Sequence, residues 1–431
     1  MVHAHTSGRR GSRAKYKCGP LIHRGRPAHH TGHSRVATAI WIMLAATVLA
    51  LIVASPCASA RNESALISGF LMGHSEWIWA NPFRILFIRD PLFRHAIYPL
   101  PPFTSEGDKA KLDRVYYPRT RDLLINNYDL MVFHDVRTAF TARQVHDLDY
   151  AFTEAGMTAM CGLCLGWDYA WQSTILADLL PISEHGSVSP FFRPYWVKFR
   201  SERDPVFLPF VELGIERVVG DQYCQMRAKQ GATIWGDVKP YEIPWMVSWR
   251  PGGRNSGMQW VVSHTFEGWW AEENNPYALD VATNMIFYSL GRPLISDIQL
   301  RREARRLFTN FQTQKSIILS MMEWAEDFGA NVAPISGRLN GLEREMGVAR
   351  TDYVEQDYPA AISFLESLSG VVGEITDDAL RLKDEAMFWV YASEWLVVTA
   401  TAILSGAAVW SLMFRRKKYL MVGTTKLQPF S

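Results

Sequence analysis

The sequence predicts an α/β domain built on a doubly wound parallel sheet, followed by a long helical region and a membrane-spanning helix. Apolar strands alternate with amphipathic helices between residues 128 and 180, which is typical of βαβ units and therefore of a parallel sheet. From residue 298 onward, helix-forming sequence dominates. Two uncharged apolar stretches, residues 36–54 and 395–414, are each long enough to span a bilayer as a helix.

The predicted strands and helices of the sheet domain follow from apolar periodicity and from end signals. YDLMVFHDV (128–136) and MTAM (157–160) are typical of buried parallel strands, and RILFIRD (84–90) predicts an earlier strand of the same kind. Between the first two, Thr141 predicts the N-cap of a helix with an apolar stripe. A helix is predicted again over 168–180. Later strands are predicted over 231–238, 244–250 and 258–264, and a helix over 275–291.

The charge distribution favours a membrane protein over a nucleic-acid-binding one. Residues 1–61 carry nine Lys/Arg and no Asp or Glu, whereas residues 62–387 carry 31 Lys/Arg against 42 Asp/Glu. The basic segment leads directly into the first apolar stretch, and RRKK (415–418) follows the second. The positive-inside rule therefore places both termini in the cytoplasm and residues 62–387 outside the cell membrane. We expect a lipid bilayer as a partner and no nucleic acid.

These features divide the chain into seven predicted segments. The first apolar stretch is either a signal peptide cleaved after Ala60 or an uncleaved signal anchor. In order, the segments are a basic cytoplasmic tail (1–35), the signal or anchor helix (36–60), a linker (61–81), the α/β domain (82–297), a helical hairpin or stalk (298–387), a transmembrane helix (388–414) and a cytoplasmic tail (415–431).

The helical region carries a heptad-like seam in its last part. One long helix is predicted from about 298, with a break over Gly329–Pro334 and an interruption near Pro359. The seam residues recur at spacings of three and four: Leu365, Leu368, Val372, Ile375, Ala379, Leu382 and Ala386. We favour packing of this seam on the helix from 298, and a homo-oligomer through the 362–387 helix is the alternative.

A cysteine between two glycines follows the strand at 157–160. Gly162-Leu163-Cys164-Leu165-Gly166 places a thiol on a sharp strand-to-helix turn, where flanking glycines relieve steric conflict. A helix beginning after Cys164 would favour its thiolate, and backbone N–H groups there would serve as an oxyanion hole. Two other hypotheses are a buried structural thiol and a redox pair with Cys161, which has the C-x-x-C spacing. Disulfide pairing among Cys161, Cys164 and Cys224 stays open.

The order of elements over residues 82–297 resembles the class I glutamine amidotransferase-like superfamily, and in particular the amidotransferase-like domains of uncharacterised membrane proteins. Four stretches carry the resemblance: YDLMVFHDV, AFTEAGMTAMCGLCLGW, GATIWGDV with PWMVSW, and WVVSHTFEGWW. The resemblance implies a flavodoxin-like fold, with Cys164 as the nucleophile, His264 as the base and Glu267 as the residue that orients His264. The family's His is usually followed by Pro and Glu, whereas Thr265 and Phe266 precede Glu267 here.

Further candidate residues lie where open α/β sheets bind ligands, at the carboxyl ends of strands. These predicted pocket residues are Asp90, His134, Asp135, Gly162, Gly166 and Trp167. A separate group of tryptophans offers stacking surface for a cell-surface glycan if the rings are exposed, although strand alternation predicts that about half of them are core. Its members are Trp235, Trp245, Trp249, Trp260, Trp269 and Trp270. No metal-ligand spacing appears, and we expect neither a metal nor a cofactor.

Two functions remain open from the sequence. We favour a membrane-anchored extracytoplasmic domain that has kept the turn without the chemistry and acts in binding or assembly with a protein or glycan at the cell surface. The alternative is a Cys-dependent amidohydrolase or amidotransferase that uses Cys164 and His264.

Overall fold

The structure is a computed structural model, and it describes residues 66–188 apart from 77, then 195–200, 205–215, 217–220, 222–264, 266 and 275–425. All of these residues belong to one structural unit, Asn62–Ser431. The predicted signal or anchor helix over 36–60 and the candidate residue Glu267 lie outside the described residues.

A nine-stranded mixed sheet forms the centre of the α/β part. The described residues form eleven strands in all, nine in this sheet and two in a second one: β1 (Ile67–His74), β2 (Phe93–Leu100), β3 (Leu130–His134), β4 (Thr158–Gly162), β5 (Ile182–Val188), β6 (Tyr195–Phe199), β7 (Arg217–Gly220), β8 (Cys224–Ala228), β9 (Thr233–Lys239), β10 (Ile243–Trp249) and β11 (Gln259–Val262). The sheet order is β2-β1-β3-β4-β11-β10-β9-β6-β7, and β5 pairs with β8 in a separate two-stranded sheet. In sheet order, the strands β2, β1, β3, β4 and β11 pair in parallel with one another. The strands β11, β10, β9, β6 and β7 pair antiparallel.

Helices cover both faces of this sheet. They are α1 (Pro82–Arg89), α2 (Glu106–Tyr116), α3 (Arg121–Asn127), α4 (Ala142–Thr153), α5 (Leu176–Leu179), α6 (Leu208–Glu212) and α7 (Ala278–Leu290). Leu71 and Val132 pack with α1 and α7 on one face, whereas Phe70 and Met131 pack with α4 on the other. The fold is therefore a mixed α/β architecture in which parallel strand pairing dominates the part that carries the candidate site.

Two segments differ from the prediction in ways that matter for the site. Residues 84–90, predicted as a strand, form α1, because Asn81 caps the helix through the N–H of Phe83 and Pro82 occupies its first position. Residues 67–74, assigned to a linker, form the buried strand β1 between β2 and β3. Its Gly73 is needed because a Cβ there would lie 2.5 Å from the carbonyl oxygen of His134.

Three helices follow the sheet, separated by short breaks at 328–332 and 355–357. They are α8 (Ile298–Asp327), α9 (Ala333–Val354) and α10 (Tyr358–Thr425). The predicted seam residues on α10 pack within the chain: Leu365, Leu368, Val372, Ile375, Ala379 and Ala386 are buried, and Leu382 packs against the same core. We call these helices, up to residue 386, the helical bundle.

A group of buried charges joins the sheet part to the helical bundle. Arg301 and Arg305 of α8 bind the carboxylate of Asp280 at 2.7 and 2.5 Å, and Arg301 also pairs with Asp90. The hydroxyl of Tyr353 donates to Asp90 at 2.9 Å. We call these five residues the charge cluster.

The charges of this cluster compensate one another. Burial alone would raise the pKa of the Asp280 carboxyl, but Arg305 and Arg301 outweigh burial and hold it below its usual value.

The last helix continues far beyond the helical bundle. From residue 388 to 420 most apolar side chains of α10 are exposed, among them Trp395, Leu404 and Trp410. Among the described residues, α10 is the one helix long and apolar enough to cross a membrane.

Candidate functional site

Cys164 and His264 meet at one edge of the sheet, as the parallel topology predicts. Each lies two residues beyond the end of its strand, and β4 and β11 are parallel neighbours with Val262 opposite Gly162. The carboxyl ends of parallel neighbours share one edge, so both side chains are delivered to the same place.

A third side chain, which the sequence did not reveal as part of the site, is Cys224 at the start of β8. Its N–H donates to the carbonyl oxygen of Ser263 at 2.6 Å, and the hydroxyl of Ser263 donates to its carbonyl oxygen at 2.8 Å. These bonds attach Cys224 directly to the residue before His264. The two Sγ atoms and a ring nitrogen of His264 lie within 4.8 Å of one another. We call Cys164, Cys224 and His264 the thiol–imidazole cluster.

The electrostatics of this cluster favour a thiolate on Cys164. A hydrogen bond from the Cys224 thiol lowers the pKa of Cys164, and the hydrogen bond and charge of His264 lower it further, against burial and the nearby Asp135. The pKa of the Cys224 thiol is raised instead, because this thiol donates to Cys164 and is buried. Cys224 therefore keeps its proton and stabilises the negative charge on Cys164.

Cys161 lies apart in the core. Its side chain is fully buried among the apolar residues on one face of the sheet, and burial raises its pKa well above the usual value. Cys161, Cys164 and Cys224 are all free thiols. Cys164 thus interacts with Cys224 rather than with its C-x-x-C neighbour.

The turn that carries Cys164 is held by Asp135 and Gly166. The Asp135 carboxylate accepts from the N–H of Gly166 at 2.7 Å and pairs with Arg137 at 2.5 Å. Asp135 itself has a φ of 47°, in the left-handed region. A Cβ on Gly166 would lie 2.6 Å from the carbonyl oxygen of Val136, so the tight approach requires glycine here.

The helix predicted over 168–180 does not form, which removes one argument for an activated thiol. Residues Trp167–Trp171 make a five-residue π-helical turn, and α5 is only Leu176–Leu179. No helix long enough to present a useful dipole starts behind Cys164. The thiolate is stabilised by neighbouring side chains instead.

The other predicted pocket residues divide into two groups. Gly162 is the buried last residue of β4, and Trp167 is the buried first residue of the π-helical turn, with its ring 6.3 Å from that of His185. His134, at the end of β3, is buried and bonds the side chain of Asn81 at 2.8 Å. Asp90 is elsewhere, because it precedes β2 and so lies at the amino-terminal edge of the parallel strands, where it belongs to the charge cluster.

His185 is a second residue that the sequence did not reveal. It lies on β5 opposite Met226 of β8, and its Nε2 atom is buried with no hydrogen-bond partner among the described residues. Burial lowers the pKa of His185 to about 4, and the nearby charge of His264 acts in the same direction. An unpaired buried imidazole nitrogen is costly unless a water or an ion satisfies it.

A cavity of about 430 Å³ lies against β5 and the π-helical turn, and the residues of the thiol–imidazole cluster are not among its lining residues. Trp167 and His185 line it, and Asp178, Glu184 and Lys229 contribute charged groups.

The predicted Trp group is mostly core where it is described. Trp235, Trp245 and Trp260 are buried, and the rings of Trp235 and Trp260 stack at 5.1 Å. Trp249 donates its indole N–H to the carbonyl oxygen of Leu179. Trp269 and Trp270 lie outside the described residues.

Comparison with known proteins gives only weak likenesses. No family model matches the chain, and no curated protein matches it. Among solved structures, the cytoplasmic protein STM3548 from Salmonella typhimurium is 15% identical with a TM-score of 0.39, over 51% of this chain and 98% of that one. The cytoplasmic protein STM1381 from Salmonella typhimurium LT2 is 10% identical with a TM-score of 0.39, over 52% and 99%.

The mmIFT52 N-terminal domain is 12% identical with a TM-score of 0.33, over 50% of this chain and 96% of that one. At these TM-scores the likenesses carry no argument about function.

Proposed function

We propose that this protein is a membrane-anchored α/β enzyme that cleaves an amide or ester bond, with Cys164 as nucleophile and His264 as its base. The observation that carries the proposal is the meeting of the Cys164 sulfur and the His264 ring, within 4.8 Å, at the carboxyl edge of β4 and β11. A thiol with a lowered pKa beside an imidazole is the arrangement that nucleophilic cysteine chemistry requires.

The proposed reaction uses only these groups, the substrate and water. The Cys164 thiolate forms a bond to the carbonyl carbon, and the carbonyl electrons move to oxygen. When the electrons on oxygen re-form the carbonyl double bond, the C–N or C–O bond breaks and His264 gives a proton to the leaving group. His264 then removes a proton from water, the hydroxide attacks the thioester, and the C–S bond breaks to restore the thiolate.

We also propose that the mixed α/β part is a flavodoxin-like domain of the amidotransferase-like type. Support comes from the five strands from β2 to β11 that pair in parallel, with helices on both faces, and from the resemblance in sequence. Within that proposal Glu267 orients the His264 imidazole.

The same proposal places the domain outside the cell membrane, with both termini in the cytoplasm. The exposed apolar part of α10, followed by the basic residues 415–418, supports this orientation. Protease treatment of sealed cells should therefore remove an epitope inserted near residue 330 and spare one added after Ser431. The reverse pattern would overturn the orientation.

Cysteine alkylation tests the enzymatic proposal directly. In the full chain in detergent micelles, treated with a chelator and a reductant, iodoacetamide should label Cys164 in the folded protein and Cys161 only after unfolding. His264→Ala should slow labelling of Cys164 by about tenfold or more, because the thiolate loses its partner. His146→Ala, on the exposed face of α4, is the matched control and should leave the rate unchanged.

Labelling of Cys164 only after unfolding would overturn the enzymatic proposal. It would favour the other function that the sequence allows, which is binding or assembly at the cell surface without turnover.

A further inference from the structure

The thiol–imidazole cluster contains more ligands than a nucleophile and a base require. Two sulfur atoms and one imidazole nitrogen converge from three separate chain segments, one after β4, one at the start of β8 and one after β11. Cysteine and histidine are the ligands that zinc prefers, and a set of two Cys and one His with an open fourth position occurs in catalytic zinc sites. In the reaction proposed above, the Cys224 thiol stabilises the negative charge on Cys164 but forms no bond to the substrate.

We propose that Cys164, Cys224 and His264 bind a zinc ion and that the bound metal reversibly blocks the Cys164 nucleophile. With Zn–S bonds of about 2.3 Å and Zn–N bonds of about 2.0 Å, a tetrahedral ion holds its ligand atoms about 3.4 to 3.8 Å apart. The three atoms already lie within 4.8 Å of one another. Side-chain rotations that move the ligand atoms by less than about 1.5 Å would therefore bring them to the distances of a tetrahedral zinc site.

The backbone around the ligands is already fixed, as metal sites need. Cys224 is attached to Ser263 by hydrogen bonds of 2.6 and 2.8 Å, so two ligands are held in register. The carboxylate of Asp135 holds the turn after Cys164 through the N–H of Gly166. Such outer contacts orient ligands and are a usual part of metal sites.

His185 provides a second, independent observation. Its Nε2 atom is buried without a hydrogen-bond partner among the described residues, and its strand β5 pairs with β8, which begins at Cys224. A fourth ligand, or a water in the fourth position of the ion, would give this nitrogen a partner. Because the ligand atoms that lie within 4.8 Å of one another are those of Cys164, Cys224 and His264, we assign the fourth position to a water that His185 would hold by a hydrogen bond.

The inference rests on the proposed function, because the metal and the substrate compete for the same sulfur. On binding, each thiol that still carries a proton releases it to solvent, and both sulfurs donate an electron pair to the ion without any change of oxidation state. A Cys164 lone pair that is engaged by zinc is withdrawn from attack on a carbonyl carbon. Zinc binding therefore keeps the nucleophile protected until the ion is removed.

Cobalt substitution tests the site in the full chain. The protein is purified in detergent with a reductant in a Cys18→Ser, Cys57→Ser background, stripped with a chelator and titrated with Co²⁺. We expect one ion per chain with thiolate-to-cobalt absorption, which the six histidines of residues 1–61 do not produce. Zinc should displace the cobalt and abolish the absorption, since zinc binds such sites more tightly.

Two variants separate the ligands from their neighbours. Cys224→Ser should weaken zinc binding by about 100-fold or more, whereas Cys161→Ser, which removes a thiol three residues from Cys164, should change it less than about twofold. Absence of the thiolate absorption in the parent protein, or its persistence in Cys224→Ser, would overturn the inference.

Alkylation distinguishes failure of this inference from failure of the proposed function. If both hold, zinc protects Cys164 from iodoacetamide in the parent protein and no longer does so in Cys224→Ser. Rapid labelling that zinc does not affect would remove the metal site and leave the nucleophile. Stoichiometric zinc binding with a Cys164 that stays unreactive after chelation would keep the metal site and remove the enzymatic proposal.

Discussion

The charge cluster and the thiol–imidazole cluster are both groups of buried or half-buried ionisable side chains, but their polar atoms are satisfied to different degrees. In the charge cluster, both arginines bind carboxylates and the Tyr353 hydroxyl bonds Asp90. Beside the thiol–imidazole cluster, His185 leaves a buried nitrogen unpaired among the residues that the structure describes. Buried ionisable groups can therefore be purely structural when each has a partner, as in the charge cluster.

Removal of one member of the charge cluster should have the largest effect. Arg301→Met leaves Asp90 and Asp280 with fewer partners in the interior, and loss of one member of a buried ion pair costs about 3 to 5 kcal/mol. Chemical denaturation of the full chain measures this loss. Arg306→Met, on the same helix in an exposed pair with Glu303, should cost less than about 1 kcal/mol. Equal losses in the two variants would contradict the contrast.

A methyl group at Gly166 should have the next largest effect on stability, and it should also change the reactivity of the Cys164 thiol. Gly166→Ala places a Cβ 2.6 Å from the carbonyl oxygen of Val136, so the turn must shift, at a cost of about 1 to 3 kcal/mol. Labelling of Cys164 by iodoacetamide should slow as well. In the control Gly370→Ala, the new methyl group meets no atom within 4 Å and adds helix propensity, so stability should rise by up to about 1 kcal/mol.

Acid should reduce the contribution of the charge cluster to the free energy of unfolding. The folded pKa of Asp280 lies below its usual value of 3.8, so its contribution is present above that pH and is lost as the pH falls through the folded pKa. The groups that face it are Arg301, Arg305 and, through Arg301, Asp90 and Tyr353. One carboxyl contributes a slope of at most about 1.4 kcal/mol per pH unit.

Denaturation midpoints between pH 5 and pH 2 measure this slope. The parent protein should lose stability more steeply with acid than Asp280→Asn. Parallel curves for the two proteins would show that the carboxyl does not respond as described.

The smallest effect distinguishes the unpaired His185 nitrogen from a hydrogen-bonded imidazole by its sign. His185→Leu removes an unpaired buried nitrogen, so the metal-free protein should gain about 1 kcal/mol while zinc binding weakens. His134→Leu is the matched control, because His134 is bonded to Asn81 and its loss should cost about 1 to 3 kcal/mol. A loss of stability in both variants would mean that the nitrogen of His185 is satisfied in solution.

Much of the site geometry could be predicted because it depends on local patterns and one rule of topology. The strands at Leu130–His134, Thr158–Gly162 and Gln259–Val262 are apolar runs with clear ends, and parallel neighbours bring the residues after them to one edge. The pairing of Cys164 with His264 is what the resemblance implies, and the structure brings the two side chains together.

Other parts of the site and the fold could not be predicted, because they depend on contacts between residues distant in sequence or on sequence patterns with two interpretations. Cys224 and His185 lie on the short strands β8 and β5, whose pairing joins residues about 40 apart and leaves little trace in periodicity. RILFIRD is apolar enough for a strand or a helix, and the Asn81-Pro82 start signal decides for a helix. Because the segment is a helix and not a strand, Asp90 lies at the opposite edge from the one predicted for it.

The last helix has a mechanical consequence. Between Tyr358 and Thr425 it continues without a break, and at 1.5 Å per residue it is about 100 Å long. Its first part is packed into the helical bundle and its last part is the candidate membrane span. With no hinge between the two parts, a twist or an axial displacement of the last part would be transmitted along the helix to the helical bundle, and through the charge cluster to the sheet.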